Sequence, residues 1–131
     1  ENDVCIAKIT PCFENGKAGV ACNLTNGIGF GSSEYYVLRP SERLLPDLLY
    51  HFITSPAFRA IATPAMTGTG GLQRVPKGVV EEFQIPLPPL EVQHQIVAEI
   101  EGYRASIEDH KKAISTLEDE IQSTVNKVWG V

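Results

Sequence analysis

The sequence predicts an α+β fold, with a small mixed domain over residues 1–89 followed by one long coiled-coil helix over residues 90–129. Three observations predict it. The first third alternates apolar and polar residues as half-buried strands do, and the middle carries short apolar runs at helical spacing. Asn-Gly pairs and prolines divide everything before Leu90 into short pieces. After Leu90 the prolines and Asn-Gly pairs stop, and the apolar period settles into heptads.

The elements follow in order. In "VCIAKIT", Val4, Ile6 and, after a slip, Ile9 mark a strand with one buried face. Asn15-Gly16 predicts a tight turn, because both residue types tolerate positive φ, and Asn26-Gly27 predicts another. Tyr35, Tyr36, Val37 and Leu38 favour a strand. "PDLLYHFI" reads as a short amphipathic helix with Pro46 in its first turn. "SPAFRAIA" repeats that grammar, with Ser55 as N-cap and Pro56 opening the helix. A glycine loop, "MTGTGGLQRVPKG", leads to one helical turn in "VPKGVVEEF" and a short terminal strand in "FQIPLPP". Strands followed by helices indicate α+β.

In the long helix, Ile96, Ile100, Tyr103, Ile107, His110, Ile114, Leu117, Ile121, Thr124 and Val128 succeed one another at alternating spacings of four and three. That is the seam of a coiled coil, with β-branched residues at every a position. About 38 residues at a rise of about 1.5 Å make a helix of roughly 57 Å, too long for a small domain to cover its seam. It needs a partner helix. His110 and Thr124 interrupt the apolar seam; they either sit where it widens or fix the register of the pair.

Composition leaves the partner open. The chain of 131 residues carries a net charge of −5. Residues 1–90 hold seven Lys/Arg against eight Asp/Glu, and residues 91–131 hold four against eight, so the acidity lies in the helix and the domain is near neutral. A near-neutral domain is compatible with a basic face, but no Lys/Arg cluster marks one. No apolar run approaches the roughly 18 residues of a membrane span. Cys5, Cys12 and Cys22 are odd in number and lack C-x-x-C spacing, which suits reduced thiols in a cytoplasmic protein.

Enzyme chemistry finds no constellation. The glycine loop fails the P-loop pattern, since Lys77 is followed by Gly78, and fails the dinucleotide pattern, since Gln73 stands where the third glycine belongs. Asp109-His110-Lys111 echoes a nuclease element but falls in the helix seam, and no His or Cys pairing suits a metal. Neither metal nor cofactor is expected. What remains is a loop of backbone donors with Thr67, Thr69, Gly70, Gln73, Arg74 and Lys77, the residue types that meet phosphate oxygens and base edges. On composition alone the loop is either such a site or a plain connection.

Four collinear strings weigh on that choice: "DVCIAKITPCFENGK", "GIGFGSSEYYVLRP", "MTGTGGLQRVPKG" and "FQIPLPPLEVQHQIV". Together they resemble the specificity subunits of type I restriction–modification enzymes. The last string is the most telling, an I-P-L-P-P-L segment followed by E-x-Q-x-x-I. The resemblance implies a target recognition domain that reads one half of a split sequence in double-stranded DNA. It also implies a conserved helix that packs antiparallel on a second one, and methyltransferase and restriction subunits as partners. The specificity subunit itself would have no catalytic activity, in keeping with the absence of an N-P-P-[FYW] methylation motif. This sequence departs from the pattern in carrying one domain and one helix, as half a subunit, and the resemblance further implies residues upstream of Glu1.

The expected DNA contacts are therefore Thr67, Thr69, Gly70, Gln73, Arg74 and Lys77 in the glycine loop, with Lys8, Asn15 and Lys17 around the first turn. Lys17, Arg74 and Lys77 are expected on phosphates, and Gln73 or Asn15 on bases. The partner helix is expected from a second copy, giving a homodimer on a palindromic, interrupted site, or from another half-subunit. The rival reading is a coiled-coil interaction scaffold without DNA affinity.

Overall fold

The computed structural model describes residues 1–130. It divides into two units, Glu1–His94 and Gln95–Val131. The first contains three strands, β1 (Val4–Ala7), β2 (Ala18–Val20) and β3 (Tyr35–Leu38), then helices α1 (Pro46–Ile53) and α2 (Pro56–Ala62). A hairpin of β4 (Thr67–Thr69) and β5 (Leu72–Arg74) and the short helix α3 (Lys77–Glu81) follow. Helix α4 runs from Leu90 to Trp129, 40 residues. The architecture is the expected one, small sheets and helices with a long C-terminal helix.

β1 is the middle strand of an antiparallel sheet ordered β2-β1-β3. Its register pairs Val4 with Val20 and Leu38, and Ile6 with Ala18 and Tyr36. Because side chains alternate across a strand, all six belong to one face. That face packs on a core of Phe13, Ile53, Phe58, Ala62, Met66 and Val75. Phe58, fully buried, meets the rings of Phe13 and Phe83 edge to face, with centroids 6.1 and 4.8 Å apart.

Helix α1 coincides with "PDLLYHFI", and α2 is capped by Ser55, whose Oγ accepts from the Phe58 N–H at 3.1 Å. Asn26-Gly27 forms its turn with both residues at positive φ. Asn15-Gly16 does not close a two-residue hairpin. It ends a longer loop over residues 8–17, in which Gly16 alone of the pair takes positive φ and the Lys17 N–H reaches back to the Cys12 carbonyl at 3.0 Å.

Two readings need correction. The "glycine loop" is a hairpin, whose Gly70-Gly71 turn takes φ of +62° and +78°. Adjacent residues at positive φ match the right-handed twist of the flanking strands. "FQIPLPP" is no strand: residues 83–89 pair with nothing in a sheet. Pro86, Pro88 and Pro89 lack the N–H that a ladder requires, and Phe83 anchors the segment through the core instead.

The end of this segment is held by one side chain. Gln93, in the first turns of α4, is fully buried. Its Nε2 donates to the carbonyls of Arg43 and Pro88, both at 2.8 Å, and its Oε1 accepts from the Leu45 N–H at 2.9 Å. Leu45 is the N-cap of α1 and has no side-chain oxygen to offer its own helix; the amide of Gln93 satisfies a backbone group there.

In the second unit the helix presents its seam without a covering chain. Tyr103, Ile107, Ile114, Leu117, Ile121 and Val128 are exposed, Ile96 and Ile100 half-buried. The polar seam residues bond within their own helix. His110 Nδ1 lies 2.6 Å from the Ser106 carbonyl, Thr124 Oγ1 donates to the Glu120 carbonyl at 2.9 Å, and the Tyr103 hydroxyl to Glu99 at 2.9 Å. No helix among the described residues is long and apolar enough to cross a membrane.

Candidate nucleic-acid interface

Every residue of the β4–β5 hairpin is exposed, so burial does not hold it in place. Hydrogen bonds to the segment after β1 do. The Thr10 N–H donates to the Gln73 carbonyl at 2.9 Å, and Thr10 Oγ1 donates to the Gly71 carbonyl at 2.7 Å while accepting from the Gln73 N–H at 3.1 Å. Ile9 bridges to Arg74, and the Val75 N–H donates to the Lys8 carbonyl at 2.8 Å. The hairpin is thus stitched as an antiparallel extension onto the end of β1, which brings Lys8 beside it.

Around that seam lie Lys8, Tyr36, Glu34, Arg74 and Lys77. Tyr36 is the hub: its hydroxyl donates to the Val75 carbonyl at 2.7 Å, and Lys8 Nζ stands 5.1 Å from its ring centroid. Arg74 meets Glu34 through two parallel hydrogen bonds, Nε to Oε2 at 3.0 Å and Nη2 to Oε1 at 2.8 Å. Those bonds hold the Glu34 carboxyl below the usual carboxylate range, helped by the charge of Lys8, and push Arg74 up. Lys77 pairs with Glu81 at 2.6 Å, one helical turn on, which raises the lysine. Lys8 forms no ion pair among the described residues.

The structure therefore brings Lys8 to the loop residues, and separates the others. Cross-strand pairs Thr67–Arg74 and Thr69–Leu72 share one face of the hairpin, while Gln73 opposes Gly68 on the other. Gln73 and Arg74 do not face the same side. Gly70 sits at the tip. Lys17 lines a separate hollow with Cys5, Gly19 and Tyr35. Asn15 stands at the end of its loop next to Gly16, near the Arg59 guanidinium, which donates to the carbonyls of Thr54 at 2.9 Å and Glu14 at 3.4 Å.

Sequence reasoning missed Thr10, Glu34 and Tyr36. Glu34 lies 40 residues from Arg74 and Thr10 lies 63 from Gln73; no local period links them. The Gly-Gly pair between Thr69 and Leu72 was the one local signal of a hairpin.

The family model described as the type I restriction modification DNA specificity domain matches residues 1–119. The chain is 45% identical over 97 residues to the type I restriction enzyme EcoAI specificity subunit of Escherichia coli, covering 72% of this chain and 16% of that one. It is 42% identical over 99 residues to the EcoEI specificity subunit of the same organism, covering 74% and 16%. The chain thus spans about 16% of the length of the curated relatives it matches. No solved structure matches.

Proposed function

The chain belongs to the family of type I restriction modification DNA specificity domains, and from that premise we propose that it is a non-catalytic DNA-recognition module. The family match over residues 1–119 carries the reading. In it, residues 1–89 are a target recognition domain that reads one half of a split duplex sequence, and residues 90–129 pair antiparallel with a second helix. Two copies in that arrangement read a palindromic, interrupted site. Methyltransferase and restriction subunits are directed to the site by the assembled whole.

The Lys8–Tyr36–Arg74–Lys77 cluster supports a DNA face on the hairpin side of the domain. Lys8 is its strongest phosphate ligand, since it forms no ion pair among the described residues and the Glu34 carboxyl feels its charge without bonding it. Arg74 and Lys77, expected on phosphates from the sequence, each share their charge with a glutamate, which weakens that role. The test is the affinity of the chain for a random-sequence duplex across a salt series, followed by fluorescence anisotropy. Lys8→Ala is expected to lower affinity for every sequence and to flatten the log-affinity versus log-salt slope by about 0.9. A chain with no salt-dependent affinity for duplex would overturn the reading in favour of an interaction scaffold built on the exposed helix seam.

A further inference from the structure

We propose that Arg74, held in plane by Glu34, reads the major-groove edge of a guanine. The proposal rests on the reading of the chain as a DNA-recognition module and names a base contact within it. Glu34 occupies one edge of the guanidinium, the Nε and Nη2 hydrogens, at 3.0 and 2.8 Å. The fork carries five N–H donors in fixed geometry. The adjacent edge, formed by Nη1 and the second Nη2 hydrogen, has no protein partner among the described residues and presents two parallel donors. Guanine O6 and N7 are the two parallel acceptors that such an edge matches.

Charge decides between guanine and phosphate. A carboxylate bonded to the guanidinium offsets most of its unit charge, and a phosphate arriving at the free edge would meet that carboxylate's repulsion at short range. A guanine edge carries partial rather than full negative charge and meets far less of it, while the hydrogen-bonding geometry is undiminished. The pairing also removes the rotamer freedom that binding would otherwise cost. Arg74 is pinned further by its strand: the Ile9 bridge and the adjoining Val75–Lys8 hydrogen bond fix its backbone. Arg74 and Glu34 keep 44% and 31% of their side-chain surface exposed. Thr67, opposite Arg74 on the same hairpin face, lies next to where that base would sit.

The experiment is selection of a randomised duplex library by the intact chain, with sequencing of the bound fraction. One position is expected to favour guanine by about ten-fold or more, the discrimination of a good bidentate contact. Arg74→Ala removes both donors, so that preference should collapse; Glu34→Gln should lower it too. Lys8→Ala should weaken all sequences alike and leave it in place. Replacing guanine at that position by 7-deazaguanine, which lacks N7, should reduce affinity for the native chain and not for Arg74→Ala. Thermal unfolding of each variant checks that the fold is kept. Guanine preference surviving in Arg74→Ala would overturn the proposal, as would duplex binding with no base preference at all, and both outcomes leave DNA recognition by the module standing. Loss of any duplex affinity in the native chain would overturn this inference together with the reading beneath it.

Discussion

At the scale of single residues, Gln93 shows how far a local pattern can mislead about a side chain. Seven residues before Ile100, it falls on the a position of the heptads, where a polar residue is an exception, and nothing in its neighbours hints that it is fully buried. Its role depends on Arg43 and Leu45, about fifty residues away, which periodicity cannot see. The same holds for Glu34, whose grip on Arg74 turns a residue read as a free cation into an ordered fork. Removing the Gln93 amide leaves a buried N–H and two carbonyls without their partner, at about 1–3 kcal/mol for each group that water does not reach. Gln93→Ala is therefore expected to cost about 3 kcal/mol in urea unfolding of the chain. A loss under about 0.5 kcal/mol, the range of ordinary surface substitutions, would show that water replaces the amide.

At the scale of elements, legibility followed locality. The two Pro-initiated helices carry their start signals within a few residues, so α1 and α2 were readable from Pro46 and Ser55-Pro56. "FQIPLPP" misled because its apolar spacing resembles a strand while its prolines forbid pairing. In the β4–β5 hairpin, two glycines that look alike in sequence differ in what surrounds them. A Cβ on Gly68, at φ +150°, would lie 2.2 Å from the Leu72 carbonyl oxygen. At Gly70, φ +62°, nothing lies within 4 Å of it. Gly68→Ala is thus expected to break the hairpin and release the Gln73 and Val75 amides to fast hydrogen exchange. Gly70→Ala costs only the left-handed penalty of about 1 kcal/mol and leaves both amides protected. Equal exchange in the two variants would refute this account of the hairpin.

At the scale of the whole molecule, the heptad seam was the clearest feature of the sequence because it repeats, and its occupant was the least legible because a heptad pattern on one helix does not name the helix it meets. Exposed Ile107, Ile114, Leu117 and Ile121 in one stripe make a face that water does not favour. In the proposed antiparallel pair these side chains are buried against their counterparts. Light scattering across a concentration series is expected to show a dimer, and Ile114→Asp, which sets a charge in the middle of the seam, a monomer. The circular dichroism of that variant should lose helix while the near-ultraviolet signal of the aromatic core persists. A native chain that stays monomeric throughout would remove the homodimer and leave pairing to a different half-subunit.

The buried amide at the head of α4 also bears on how so long a helix begins. An isolated helix is limited by its first turn, where several residues must be ordered before a single hydrogen bond is gained, an equilibrium penalty of about a thousand-fold. Here Pro88, Pro89 and the anchored Gln93, whose N–H donates to the Pro89 carbonyl at 3.0 Å, set that turn as part of the folding of the domain. Helix growth toward Trp129 then starts from a nucleus already made, and each further residue adds its bond at no such cost. The domain is, by this device, also the seed of its own helix.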